Sequence, residues 1–187
     1  KDDRRMKIHC QVLEQTGADE LEVDENLRLW PCCYVNSYTN RLEAKDPWVN
    51  ALPHDWNSLE QHSWKEILEH PAFTVHFNEE HWNNPELCSP ICKRECTTGK
   101  NFISVAKYVN KDAGLYSADN TREKRTGWKD VPIIDFGITS YCNAGCSGCA
   151  RTDNNTRKAH EWLKTRHVDT DVLIKQIFDA YDYFPSL

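Results

Sequence analysis

Nine cysteines in a chain of 187 residues set the tightest limit on this fold, because they are grouped rather than spread. Cys32 stands with Cys33, Cys88 with Cys92 and Cys96, and Cys142 with Cys146 and Cys149, leaving Cys10 alone. An odd number cannot close into a full set of disulfides, and thiols recurring every third or fourth residue suit metal ligation in a reducing compartment. A mean hydropathy of -0.75 implies a small apolar core. Metal binding then becomes a natural source of folding energy, and the seven Trp and seven Tyr supply further buried area.

The third group has the most telling context. In Tyr141–Arg151, YCNAGCSGCAR, the three cysteines form a Cys-x3-Cys-x2-Cys pattern just after the apolar run VPIIDFGI. Three thiolates at that spacing can cap three irons of a four-iron cluster and leave the fourth iron open, whereas ordinary ferredoxin clusters use four cysteines. A structural zinc site wants a fourth protein ligand, and none is near: the next imidazoles are His160 and His167, and the other six cysteines precede residue 100. The small residues between the thiols (Asn143, Ala144, Gly145, Ser147, Gly148) suit a loop curled round an inorganic core. Zinc and a chance triplet are the competing readings.

Composition excludes several function classes. A net charge of -6 without a basic stripe argues against nonspecific nucleic-acid binding. No apolar run approaches the roughly 20 residues of a membrane helix, and KDDRRMKIHC lacks a secretory apolar segment, so a cytoplasmic protein without membrane contact is expected. The chain opens on Lys1 and stops soon after a helical pattern, which suggests a piece of a longer protein.

Patterning predicts an α+β fold. KIHCQVLEQ and LEVDENLRLWPCC read as short strands, with Asp24-Glu25-Asn26 as a turn, and Cys10 and Cys32 near strand ends. Residues 34–56 show no periodicity and read as a loop. Ser58–Gln61 resembles a capping box opening a helix over 59–70 that Pro71 ends. Cys88, Cys92 and Cys96 would share one face of a regular helix, although Pro90 argues against one running from Cys88. Residues 101–111 predict a short helix, Val131–Ile138 a buried strand, and Asp169 or Thr170 caps a helix to about Tyr183 with Val172, Leu173, Ile177 and Phe178 inward. His54, His62, His70, His76 and His81 are dispersed, so a solvated or hydrogen-bonded role is expected for each.

The strand, three-cysteine loop and following helix resemble the start of a radical S-adenosylmethionine (SAM) enzyme. Farther upstream, the order of a cysteine, a PCC element (Pro31-Cys32-Cys33), a WNS-led helix (Trp56-Asn57-Ser58) and a cysteine group resembles the twitch or SPASM type of cysteine-rich domain, which in one group of these enzymes precedes the barrel. The resemblance implies three parts: a cysteine-rich unit over 1–112 made of short strands and helices, a linker over 113–130, and over 131–187 the first βα unit of a truncated radical SAM (β/α) barrel. It also implies that Cys142, Cys146 and Cys149 hold a [4Fe-4S] cluster to which SAM binds, and that a reductant such as flavodoxin or ferredoxin drives SAM cleavage to a 5′-deoxyadenosyl radical. The substrate, a peptide or a small molecule, is left open.

By the same pattern Cys10, Cys32, Cys88 and Cys92 are the expected ligands of a second site, with Cys33 and Cys96 as substitutes. That site would hold an auxiliary [4Fe-4S] cluster or zinc. Two features depart from the family pattern: Gly148 stands where an aromatic residue is usual, and no Gly-Gly-Glu segment follows. The alternative function is a non-enzymatic zinc or iron-sulfur module serving assembly or electron transfer.

Overall fold

The computed structural model describes residues 8, 10, 12–13, 20–40, 46–82, 84–96, 127–131, 133–139 and 167–184. The expected helix over 101–111 and the Cys142, Cys146 and Cys149 loop lie outside them. The described residues form a mixed α+β fold around a three-stranded sheet of order β2-β1-β3. β1 (Glu20–Val23) pairs antiparallel with β2 (Leu29–Trp30) and parallel with β3 (Ile133–Phe136).

Strict alternation makes β1 the centre of this sheet. Leu21 and Val23 are fully buried, while Glu20 and Glu22 face the half-exposed side. The expected turn between β1 and β2 is present, and the buried Asp24 organises it. Its Oδ1 accepts from the backbone N–H groups of Asn26 at 2.8 Å and Arg28 at 3.1 Å. Its Oδ2 accepts from Arg28 Nε at 3.1 Å and Trp30 Nε1 at 3.0 Å. Leu27 takes the left-handed conformation with φ of 54°, which costs a non-glycine residue energy. Burial of its side chain at 1% exposure opposes that cost.

Six α-helices lie among the described residues, and two of them correct the reading of residues 34–56 as a loop. α1 (Cys33–Asn40) follows β2 directly, and Asn36 Nδ2 donates to Glu22 Oε1 at 2.8 Å, tying this helix to the central strand. α2 (Pro47–Asn50) is opened by Asp46 as N-cap and Pro47 in its first turn. Tertiary docking and a single cap determine these helices, so apolar periodicity does not reveal them.

The helix expected over 59–70 is shorter. α3 (Trp64–Leu68) starts at Ser63, whose hydroxyl and the Glu66 carboxylate form the capping box; Ser58 instead closes a turn by accepting from Glu60 N–H at 3.3 Å. Pro71 does not end helical structure either: it leads into a π-turn over Ala72–His76, closed by Phe77 N–H to Ala72 C=O at 2.8 Å. α4 (Glu79–Trp82) and α5 (Pro90–Glu95) follow.

α6 (Thr170–Tyr183) has the expected span and is capped by Asp169, but it is rotated from the expected orientation. Gln176 and Ala180 are its buried residues, whereas Ile177 and Phe178 are 45% and 65% exposed. Two anchors set this rotation. Gln176 Nε2 donates to Leu59 C=O at 2.9 Å, and Phe184 packs edge-on to Trp64 with ring centroids 5.5 Å apart. A buried amide that finds its partner outweighs the apolar stripe as a register signal here.

Candidate metal centre

The cysteine-rich end of the fold is built by α1, α5 and the segment carrying Cys10. Pro31 and Cys32 follow β2 immediately, and α1 starts at Cys33. Pro90 occupies the first turn of α5, where its missing N–H costs nothing, and Ser89 is the N-cap with its hydroxyl accepting from Ile91 N–H at 3.3 Å. Cys92 and Cys96 therefore sit one helical turn apart, linked by Cys96 N–H to Cys92 C=O at 2.8 Å. Cys88 precedes the helix, as Pro90 requires.

Six cysteines lie among the described residues, and none forms a disulfide. Cys10, Cys88, Cys92 and Cys96 are buried; Cys32 is partly exposed as a residue, but its sulfur is enclosed by protein. Electrostatics identify which thiols face one another. Burial pushes the Cys92 thiol well above its ordinary value, and ionisation of Cys32, Cys96, Cys10 and Cys88 would push it further. Burial does the same to Cys32; a backbone N–H at Val35 opposes it, and Cys10, Cys33 and Cys96 reinforce it. Cys10, Cys32, Cys92 and Cys96 thus lie close enough for the ionisation of one to be felt by another. As thiolates they would repel one another at close range, which a bound cation relieves.

The remaining two cysteines are placed differently. Burial raises Cys88 to about 11, Lys93 opposes the shift, and Asp46 and Cys96 add to it. Its thiol donates to Ser89 C=O at 3.6 Å. Cys33 is also raised to about 11, first by burial and then by Glu22 and Glu20, so it looks toward the acidic side of β1. The expected ligands Cys10, Cys32, Cys88 and Cys92 are all among the electrostatic neighbours of Cys92 or are Cys92 itself, and so is Cys96. Among the described residues no three His, Cys, Asp or Glu side chains converge in the geometry of a bound ion. The donors suit a soft metal, because they are four unbridged thiols sharing a dry environment.

The segment carrying Cys142, Cys146 and Cys149 is flanked by described residues that pin its two ends together. Val168 N–H donates to Ile138 C=O at 3.1 Å, Thr139 bridges to His167, and Thr139 Oγ1 lies 2.9 Å from His167 Nδ1. Ile138 and Thr139 after β3 therefore lie beside His167 and Val168 before α6.

A second polar constellation was not legible in the sequence. Asp46, 1% exposed, places Oδ2 2.8 Å from His76 Nε2, and His76 Nδ1 lies 3.0 Å from His81 Nδ1. Trp48 stacks on the His76 ring at 4.5 Å and 13°. Burial alone would raise the Asp46 carboxyl, but hydrogen bonds from His76 and Ser89 outweigh it and hold the carboxyl below its usual range. The Asp-Pro pair at residues 46 and 47, a helix-opening signal, was the available clue. An open cleft of about 530 Å³ between the α3 entry and α6, lined in part by Trp64, Lys175 and Tyr183, lies apart from all these thiols.

No protein-family model matches the chain, and neither the characterised proteins nor the solved structures compared with it give a match. Among the described residues no helix is long and apolar enough to cross a membrane.

Proposed function

We propose that the chain is the N-terminal portion of a radical SAM enzyme that carries two metal sites, a SAM-binding [4Fe-4S] cluster on Cys142, Cys146 and Cys149 and an auxiliary site on Cys10, Cys32, Cys92 and Cys96. The observation that carries the reading is that Cys10, Cys92 and Cys96 are buried, Cys32 is half-buried, and the Cys32 and Cys92 thiols are both raised by burial and by neighbouring thiols of this set. The Cys-x3-Cys-x2-Cys pattern after a strand supports the first site. When bound, the loop cluster supplies the electron that cleaves SAM, with flavodoxin or ferredoxin as reductant and a peptide or small molecule as substrate. The chain's own part is to enclose the auxiliary thiols and to fix both ends of the cluster loop.

The test is anaerobic reconstitution with iron and sulfide. The expected product is brown, carries about four irons per occupied site, and shows a reduced-cluster EPR signal that shifts when SAM is added. Replacing Cys142, Cys146 and Cys149 together should abolish the SAM-dependent shift and leave the auxiliary iron; replacing Cys92 and Cys96 should do the reverse. A colourless protein that takes only zinc sinks the proposal.

A second reading, a non-enzymatic zinc or iron-sulfur module, is favoured by one observation: Cys10, Cys32, Cys92 and Cys96 supply four sulfur donors by themselves. It predicts full metal content after the loop cysteines are replaced and no response to SAM.

A further inference from the structure

We propose that Asp46, His76 and His81 form a proton relay through which the buried Asp46–His76 pair exchanges one proton with solvent by way of His81. The hydrogen-bond chemistry leaves little freedom. An ionised carboxylate only accepts, so at 2.8 Å His76 Nε2 must carry a hydrogen toward Asp46 Oδ2. Neutral His76 then has a bare Nδ1, and the 3.0 Å contact requires His81 to donate from its own Nδ1. That fixes His81 with a bare Nε2. This nitrogen accepts from no described residue, and it is not among the buried polar atoms lacking a partner. The residual 9% exposure of His81 is therefore the outlet of a chain whose other two members are 1% exposed.

Transfer balances along this chain without any other reactant. A proton from water binds His81 Nε2, the hydrogen on His81 Nδ1 passes to His76 Nδ1, and His81 is left neutral in its other tautomer. His76 becomes an imidazolium paired with the Asp46 carboxylate, and the reverse order returns the proton. Trp48 and Phe77 cover the His76 ring, at centroid distances of 4.5 and 4.8 Å, so water has no direct path through those faces. Among the described residues the other titratable groups near this chain are the Cys88 thiol, which Asp46 makes harder to ionise, Lys93 beyond it, and Glu79 and Glu80, both exposed, on the helix that carries His81. Asp46 also caps α2 and bonds Ser89, the N-cap of α5, so charge arriving on the relay is felt by both helices.

The experiment is ¹⁵N NMR of the histidine-labelled protein across the pH range in which the fold persists, with His81→Gln and His81→Phe as variants. In the native protein the two Nδ1 atoms should show a coupling through their shared hydrogen, with His76 as the Nε2–H tautomer, and the His76 signals should move continuously with pH. A glutamine can donate to His76 Nδ1 but cannot pass a proton on, so His81→Gln keeps the hydrogen bond and breaks the relay. His76 protonation should then slow by about tenfold or more, giving two separate signals, because only local opening of the core remains as a route. His81→Phe should slow it similarly. Continuous movement of the His76 signals in His81→Gln, an Nδ1–H tautomer at His76, or no titration of His76 in the folded native protein overturns the proposal.

Discussion

Replacing Asp46 probes a buried carboxylate bonded on both oxygens, and its cost follows from those bonds. Oδ1 accepts from Trp48 N–H at 3.0 Å and Val49 N–H at 3.2 Å, an N-cap that is worth about 1 kcal/mol. Oδ2 holds His76 at 2.8 Å where both side chains are 1% exposed, and removing one member of such a buried pair costs about 3 kcal/mol or more. Asp46→Ala should therefore lose about 3–5 kcal/mol, after allowing for overlap between the two effects. Asp46→Asn keeps the capping oxygen but turns an N–H₂ toward the hydrogen on His76 Nε2, or forces His76 into its other tautomer against the hydrogen on His81. A loss of about 2–3 kcal/mol is expected, consistent with the penalty of an unsatisfied buried donor.

Urea unfolding of the native protein and both variants, monitored by tryptophan fluorescence, measures these losses directly. Acid titration supplies an independent check. The Asp46 carboxyl is held below its usual value, so its contribution is present above pH about 3.9 and is lost as pH falls through the depressed folded value. That part of the acid transition should vanish in both variants. A loss under about 1 kcal/mol for Asp46→Ala, or an unchanged acid limb, would refute the reasoning, because the cap alone would then account for the effect.

Further outcomes follow from the thiols and the core. The raised pKa values of Cys33 and Cys88, about 11 each, mean that the metal-free fold keeps their contribution below pH about 8.5 and loses it toward pH 11. A stability series from pH 7 to 11 should therefore fall, and metal loading should leave this part of the fall in place, because neither thiol is among the four proposed ligands. Metal uptake at neutral pH should release close to one proton for each ligating thiol, as measured by buffer-dependent calorimetry, and Cys96→Ala should lower that release. Glu22 is raised mainly by burial, and its Oε2 is enclosed without a partner, so Glu22→Gln should stabilise the fold at pH 7 by about 1 kcal/mol. Phe73→Ala should cost about 3–5 kcal/mol, since the ring is fully buried and touches Trp56 and Trp128 at 6.1 and 5.5 Å.

What the sequence reveals depends on whether local or distant partners decide the outcome. The β1 turn, the Pro90 break before Cys92 and the Asp169 cap of α6 are local, and each is legible from a few neighbouring residues. The face of α6 is not, because its rotation is set by Gln176 reaching Leu59, 117 residues away in the chain. The same holds for the thiols. Spacing groups Cys88, Cys92 and Cys96 together, yet Cys96 joins Cys10 and Cys32 while Cys88 turns to Ser89, because α5 begins between them. His76 and His81 have the hydrogen-bonded role expected of them, but their link to Asp46 is not legible, because the π-turn that places His76 there has no periodic signature.

The register of the small sheet also decides where the chain leaves its strands. β3 runs parallel to β1, with Phe136 opposite Val23, so the chain leaves toward Ile138 and the Cys142 segment at the end of the sheet where β1 also ends. β2 runs the other way, with Leu29 opposite Val23 and Trp30 opposite Glu22, so Cys32 departs toward the end marked by Glu20 and Ile133. Strands of this length span about 3.3 Å per residue, which separates the two departure points by the length of the sheet. The chain therefore leaves β2 toward Cys32 and leaves β3 toward Ile138 at opposite ends of the sheet, so the proposed auxiliary ligands can be tested separately from the loop cysteines. Cys92→Ala should accordingly leave any SAM-dependent signal of the loop cluster in place while removing auxiliary metal, and simultaneous loss of both would show that the two sites are one.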